Sequence, residues 1–123
     1  MEMNNNQPNI EIKDDNYSVS YDPKIPAITF TGSLRLNGIQ EYQPIVELLH
    51  NVIDTNPERI TLNLQSLNFL NSSGINILSK FTIKIRKQKT IHLVIQASEA
   101  IPWQTKSLKN LKRLLPSLEL EIQ

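Results

Sequence analysis

The chain has 123 residues, of which 39% are hydrophobic and 20% are charged, and its formal net charge is +1. This length supplies one hydrophobic core, and the composition is that of a globular domain rather than of a disordered chain. No segment approaches the roughly 20 consecutive apolar residues of a membrane-spanning helix, and the first residues show no export signal. Because the sequence also lacks cysteine, a cytoplasmic protein without membrane insertion is expected.

Charge is distributed unevenly along the chain. Residues 1–58 hold nine acidic and three basic residues, whereas residues 59–98 hold six basic residues and no acidic one. Two interpretations of the basic segment stay open, namely a solvated helix surface or a surface that attracts an acidic partner. Aromatic residues are not interleaved with these bases, so the pattern does not predict binding to nucleic acid.

The N-terminal part of the chain predicts a tail followed by a β-hairpin. Residues 1–16 begin with a polar, asparagine-rich stretch and are expected to form a flexible tail, which leaves one domain over residues 17–123. Residues 17–21 alternate with period two, residues 22–26 are turn-forming, and residues 27–33 are rich in β-branched and aromatic side chains. Two strands joined by a short turn predict an antiparallel pair.

The rest of the chain alternates between helical and strand patterns. Apolar spacing predicts a helix over residues 39–54, a strand over 60–70 and a second helix from residue 75 to 85. A strand over residues 90–96, a helix opened by proline over 102–115 and a strand over 117–122 complete the order ββαβαβαβ. Strands connected through helices pair in parallel, so we expect an α/β fold with a mixed sheet flanked by helices.

One loop in this pattern has a recognisable chemistry. Residues 71–74 read Asn-Ser-Ser-Gly and lie where a strand ends and a helix begins. Asn71 and the two serines are residue types that cap free backbone N–H groups, and Gly74 allows close packing. The same N–H groups and the helix dipole favour an anion, including a phosphate carried by a serine. On these residues alone, a plain helix cap and a phosphoserine site both stay open.

Residues 59–95 resemble the core of the STAS domain, the fold of bacterial anti-sigma factor antagonists. The family signature is a hydrophobic strand, a hydrophobic pair, Asp-Ser-Ser or Asp-Ser-Thr, a glycine and an apolar residue. Here residues 69–75 read Phe-Leu-Asn-Ser-Ser-Gly-Ile, and the predicted element order over residues 17–123 also matches. Two positions depart from the family pattern: Asn71 replaces the usual aspartate, and Asn76 stands where many members have a second glycine.

The resemblance implies a regulatory protein-binding module rather than an enzyme. In the family, a kinase phosphorylates the serine that follows the acidic residue, and the phosphate breaks the complex with the anti-sigma factor. The matching position is Ser72, with Ser73 as the second choice. The implied partners are an anti-sigma factor-like serine kinase and a phosphatase, and the implied mechanism is partner switching. The alternative is a constitutive, non-phosphorylated subunit of a transport ATPase or another complex, which loss of the aspartate favours.

The helix after the loop carries apolar residues outside a single stripe. Ile75 belongs to one stripe with residues 78, 82 and 85, while Ile77 and Phe81 lie four residues apart on an adjacent face. Ile75, Ile77 and Phe81 are the candidate partner contacts. The alternative is that Ile77 and Phe81 are core residues, and an exposed Phe81 would favour the first interpretation.

Few residues are suited to a metal, cofactor or catalytic site. His50 and His92 have no carboxylate or second histidine at metal-ligand spacing, so we expect neither a metal nor another cofactor. The sequence contains no nucleophile elbow, phosphate loop or dinucleotide fingerprint, and no catalytic residue is expected. Trp103 is expected to pack against the sheet, with a partner-facing aromatic as the alternative.

Overall fold

In a computed structural model, which describes residues 9–123, six strands and three helices follow the order βββαβαβαβ. Their bounds are β1 (Ile10–Lys13), β2 (Tyr17–Asp22), β3 (Ala27–Leu34), α1 (Gly38–Asp54), β4 (Arg59–Leu70), α2 (Ser72–Gln88), β5 (His92–Ala97), α3 (Pro102–Leu114) and β6 (Glu119–Ile122). The strands form one sheet in sequence order. Pairing is antiparallel from β1 to β3 and parallel from β3 to β6, which confirms the predicted mixed α/β sheet.

The structure differs from the predicted flexible tail over residues 1–16, because Ile10–Lys13 form an edge strand. Strand β1 pairs with β2 so that Ile12 lies opposite Val19. Two isoleucines that alternate with charged residues do fit a strand, but four residues are too few for a periodic pattern to stand out beside a polar segment. Residues 1–8 of the predicted tail lie outside the described residues.

All three helices cover the same face of the sheet. The parallel strands are added in sequence order, so right-handed crossovers place each connecting helix on one side. Burial along β4 agrees, because Ile60 and Leu62 are fully buried whereas Thr61 between them is half-buried. This covered face and the apolar sides of α1, α2 and α3 enclose the core. None of the helices in residues 9–123 is long and apolar enough to cross a membrane.

Strand β4 extends beyond its neighbour β5. Pairing with β5 involves only residues 59–63 of β4. Along the remaining length, the register between β4 and β3 shifts twice, once between Thr29 and Thr31 and once between Gly32 and Ser33. The second half of β4 therefore lacks a strand partner on the β5 side, and its backbone groups there need other hydrogen-bond partners.

The start of α3 supplies these partners. Gln104 Nε2 donates to the carbonyl oxygens of Leu64 at 2.6 Å and Leu67 at 3.0 Å. Trp103 Nε1 also donates to Leu67 O at 3.0 Å, and the half-buried indole packs against the core. Gln104 is fully buried, and its Oε1 accepts a hydrogen bond from Ser98 N at 2.8 Å. Two side chains of α3 thus complete the hydrogen bonding of the extended strand.

Replacing Gln104 with methionine should lower the free energy of unfolding by about 2–5 kcal/mol, because each buried polar group left unpaired costs about 1–3 kcal/mol. Gln88→Met is the matched control, since Gln88 is exposed at the end of α2 and should change stability by about 0.5 kcal/mol or less. Urea unfolding followed by circular dichroism measures both. Equal losses in the two variants would contradict the assigned role of Gln104.

Candidate functional site

The carboxyl ends of β3, β4 and β5 lie at one edge of the sheet, where α1, α2 and α3 begin. We call this region, made of residues 35–39, 69–75 and 101–103, the helix-start edge. Because β4 lies between β3 and β5, the Asn71–Gly74 loop is at its centre. Ligands of open α/β sheets bind beyond the carboxyl ends of the strands, so this is the expected location of a site.

The side chain of Asn71 joins three segments of this edge. It is the N-cap of α2, and its Oδ1 accepts a hydrogen bond from Gly74 N at 3.0 Å. The same oxygen accepts from the hydroxyl of Tyr42 in α1 at 2.7 Å. Its Nδ2 donates to Leu36 O, in the connection from β3 to α1, at 2.8 Å. The bond to Gly74 caps α2, and the bonds to Tyr42 and Leu36 fix the loop relative to α1.

These contacts explain why an asparagine suits this position. A carboxylate could accept from the Gly74 N–H and the Tyr42 hydroxyl, but it could not donate to Leu36 O. Its second oxygen would instead face that carbonyl oxygen at the place where the Asn71 amide now donates. The departure from the family signature therefore has a structural basis in this chain.

Gly74 lets the start of α2 approach α1 and β4 closely. The residue is buried. A Cβ atom added to it would lie 2.7 Å from the Tyr42 hydroxyl and would also collide with the side chain of Leu70. A larger residue would therefore displace the same tyrosine that bonds to Asn71.

The two serines of the loop differ in exposure. Ser72, the first residue of α2, is exposed, whereas Ser73 is half-buried. Within the described residues the Ser72 hydroxyl makes no hydrogen bond, so it is free to meet another molecule. A phosphate on Ser72 would lie at the N-terminus of α2, where the helix dipole and backbone N–H groups stabilise negative charge.

Phe81 and Ile77 do not have the exposure expected of surface contacts, which favours the alternative that both are core residues. Phe81 is 2% exposed and Ile77 is 8% exposed. Because α2 packs against α1 on one side and α3 on the other, its buried arc is wider than a single apolar stripe. Ile75 is half-buried and packs against the core.

Two other large apolar side chains are exposed at the helix-start edge. Ile39 in the first turn of α1 is 62% exposed, and Phe69 near the end of β4 is 38% exposed. The guanidinium carbon of Arg35 lies 4.5 Å from the centre of the Phe69 ring. Sequence reasoning missed these residues, because apolar periodicity predicts which residues can be buried and does not identify exposed ones.

The role of Tyr42 was not predicted from the sequence either, although this residue lies three positions before Ile45 on the apolar stripe of α1. It is 1% exposed, and burial raises the pKa of its hydroxyl to about 12. The hydroxyl therefore stays protonated at neutral pH and keeps donating to Asn71. A spacing pattern shows that such a residue is buried but does not show what its hydroxyl contacts.

The two histidines lie outside the helix-start edge and are not paired with each other. His92 lies on β5, where its Nε2 is 3.0 Å from Glu119 Oε1, and this hydrogen bond lowers the pKa of the Glu119 carboxyl. His50 is exposed on α1. Among residues 9–123, no three histidine or carboxylate side chains are grouped so that they could hold a metal ion.

This arrangement of sheet, helices and loop is a STAS-like fold, which two solved structures share. SiaC of Pseudomonas aeruginosa superimposes with a TM-score of 0.73 at 11% sequence identity, covering 95% of this chain and 98% of that one. A chain in the crystal structure of the diguanylate cyclase SiaD in complex with its activator SiaC, from the same organism, gives 0.69 at 11% identity, with coverage of 95% and 98%. No protein-family model matches the sequence, and no curated protein matches it.

Asn71→Asp should lower the free energy of unfolding by about 1–3 kcal/mol at pH 7, because Leu36 O loses its donor and faces a carboxylate oxygen. The helix dipole offsets only about 0.3–1 kcal/mol of this loss. Chemical unfolding of the variant and the unmodified chain measures the difference. Asn76→Asp, at an exposed position in the same helix, is the control for added charge, and an equal loss in that variant would contradict the role of the amide.

Tyr42→Phe should lower the free energy of unfolding by about 1 kcal/mol at pH 7, since one hydrogen bond to Asn71 is lost. In the unmodified chain Tyr42 ionises at lower pH when unfolded than when folded, because burial raises its pKa to about 12. Its stabilising contribution is therefore complete below pH about 10, the usual tyrosine pKa, and declines above it. Unfolding measured from pH 7 to 11 should show the two proteins converging, and a constant difference would contradict this.

Proposed function

We propose that this chain is a cytoplasmic regulatory module that binds a partner protein at the helix-start edge and releases it when Ser72 is phosphorylated. The observation that carries the proposal is the exposed Ser72 hydroxyl at the start of α2, at the same edge of the sheet as the exposed apolar side chains of Ile39 and Phe69. Apolar side chains exposed together are a common feature of protein interfaces. A phosphate placed among them would change the chemistry of such an interface.

The physical effect of the modification is an added charge of about −1.5 to −2 at neutral pH. In the free protein, the helix dipole and the N–H groups of the first turn of α2 stabilise this charge. In a complex, the same charge would have to lose its hydration beside Ile39 and Phe69. The partner's affinity therefore falls without any need for the fold to change.

The similarity to SiaC supports a regulatory role for the chain. SiaC is an activator found in complex with the diguanylate cyclase SiaD, so an enzyme of that class is a reasonable partner to test. A non-enzymatic role also agrees with the hydrogen bonding of the buried and half-buried polar groups near the edge. Tyr42, Asn71 and Gln104 are each held in hydrogen bonds within the fold.

Two further partners follow from the proposal, a serine kinase of the anti-sigma factor type and a phosphatase. Ser72 is the preferred acceptor because it is exposed, and the half-buried Ser73 is the second choice. The competing function is a constitutive subunit without a phosphoserine, which the asparagine at position 71 favours because the aspartate of the family signature is absent.

The first test is intact-mass spectrometry with peptide mapping of the protein purified from its native cells in two growth states. A phosphate on Ser72 whose stoichiometry changes between the states is the expected result. Absence of phosphate in every state would contradict the switch and favour the constitutive subunit.

The binding test compares Ser72→Ala with Ser72→Asp against a partner such as a diguanylate cyclase encoded by the same organism. Ser72→Ala should bind permanently, and Ser72→Asp should bind at least about tenfold more weakly, which corresponds to about 1.4 kcal/mol. Ser117→Asp is the matched control, because Ser117 is exposed in the connection from α3 to β6 at the opposite edge of the sheet. Calorimetry measures the affinities, and equal binding by both Ser72 variants would overturn the mechanism.

A further inference from the structure

A groove of about 210 Å³ runs between α1 and α2 and begins at the helix-start edge. We call it the α1–α2 groove, and its lining includes Ile39, Val46, Ile77 and Phe81, with the exposed His50 and Lys80 at its rim. The floor is thus apolar, and the charged side chain at its rim is a lysine. We propose that this groove binds an acidic amphipathic helix of the partner protein, an inference that rests on the proposed function and names the chemistry of its partner.

The shape of the groove fits a helix. On α1 its lining extends from Ile39 to His50, eleven residues apart, which is about 16 Å at 1.5 Å per residue. On α2, Ile77 and Phe81 are spaced by one helical turn. An amphipathic helix of about three turns could lay apolar side chains along this length, as helices do in other grooves formed by packed helices.

Burial of Ile77 and Phe81 is compatible with this role. Both side chains belong to the core, and their remaining exposed edges form part of the groove floor. The partner would therefore contact a floor formed by core side chains, while Ile39, at 62% exposed, is the most exposed apolar side chain of the lining. The residues predicted as exposed contacts would act as the base of the groove.

Charge identifies the partner as acidic. No aspartate or glutamate lines the groove, whereas Lys80 and His50 do. Lys84, one turn beyond Lys80, extends the basic side of α2. Within residues 9–123 neither lysine takes part in an ion pair, so their charges are uncompensated. Glutamate or aspartate side chains on the polar side of a partner helix would meet these lysines.

The same geometry explains why a phosphate on Ser72 would oppose this partner. Ser72 precedes Lys80 by eight residues, which is about 12 Å along the axis of α2. This distance is longer than the Debye length of about 8–10 Å at moderate ionic strength, so the phosphate would act mainly on charges at the end of the groove nearest Ser72. A phosphate would therefore repel acidic side chains bound near the start of the groove.

The test uses three fluorescein-labelled, designed 18-residue peptides that share one leucine face and carry glutamate, glutamine or lysine on the polar face. Fluorescence anisotropy with the full chain should show the glutamate peptide binding at least tenfold more tightly than the lysine peptide, with affinity falling as salt is raised. The double variant Lys80→Glu, Lys84→Glu should reverse this order. Equal affinities of the three peptides would overturn the proposal.

A matched pair of variants locates the binding. Ile39→Glu should lower the affinity for the glutamate peptide at least tenfold. Ile25→Glu should leave this affinity unchanged, because Ile25 is equally exposed at 64% but lies in the turn between β2 and β3. Equal effects would overturn the assignment. Sedimentation should show a monomer for both variants and the unmodified chain. If the unmodified chain forms a dimer that Ile39→Glu abolishes, a second copy of the chain occupies the groove, and this result would also overturn the proposal.

The outcome is separable from that of the phosphorylation switch. If the glutamate peptide binds in the groove but Ser72 is never phosphorylated, the groove stands and the switch fails. If Ser72 is phosphorylated in cells and the peptides bind equally, the switch stands and the acidic-helix proposal is overturned.

Discussion

The hydrogen bonds of one amide, the side chain of Asn71, hold together the part of the fold on which the candidate site depends. Its oxygen accepts from the start of α2 and from Tyr42 in α1, and its nitrogen donates to Leu36 after β3. Gly74 is required for the same reason, because a side chain there would collide with Tyr42. The relative position of α1 and α2 is therefore set at the loop that presents Ser72, and the width of the α1–α2 groove follows from it.

A second constraint comes from the length of β4. The strand continues beyond β5 and so carries the loop to the helix-start edge, which leaves the carbonyls of Leu64 and Leu67 without strand partners. Gln104 and Trp103 supply the missing donors. Asn71 thus connects the loop to α1, and Gln104 of α3 supports the strand that precedes the loop. A phosphate at Ser72 would act on a surface that these hydrogen bonds hold in place, so the proposed switch would work through charge and desolvation at the interface rather than through a change of fold.

The sequence predicts most of the fold because each main element is long enough for its period to be visible. The helices follow from apolar residues three and four apart, and β4 follows from alternation around Ile60 and Leu62. The Asn-Ser-Ser-Gly stretch marks the loop, since its residue types are those that cap helices. What the sequence does not reveal depends on contacts between distant residues. The partners of Gln104 lie about forty residues earlier in the chain, Phe81 is buried where α2 packs beside α1, and β1 is only four residues long.

The replacement of aspartate by asparagine also changes the electrostatics of the proposed switch. With a carboxylate at the N-cap, the loop would carry a negative charge before any modification, and a partner with acidic side chains would already be repelled. With Asn71 the unmodified loop is neutral, and Lys80 and Lys84 place positive charge farther along the same helix. Phosphorylation would then change the local charge from zero to about −2. An acidic partner would meet attraction in one state and repulsion in the other, so the asparagine that the fold requires also widens the difference between the two states.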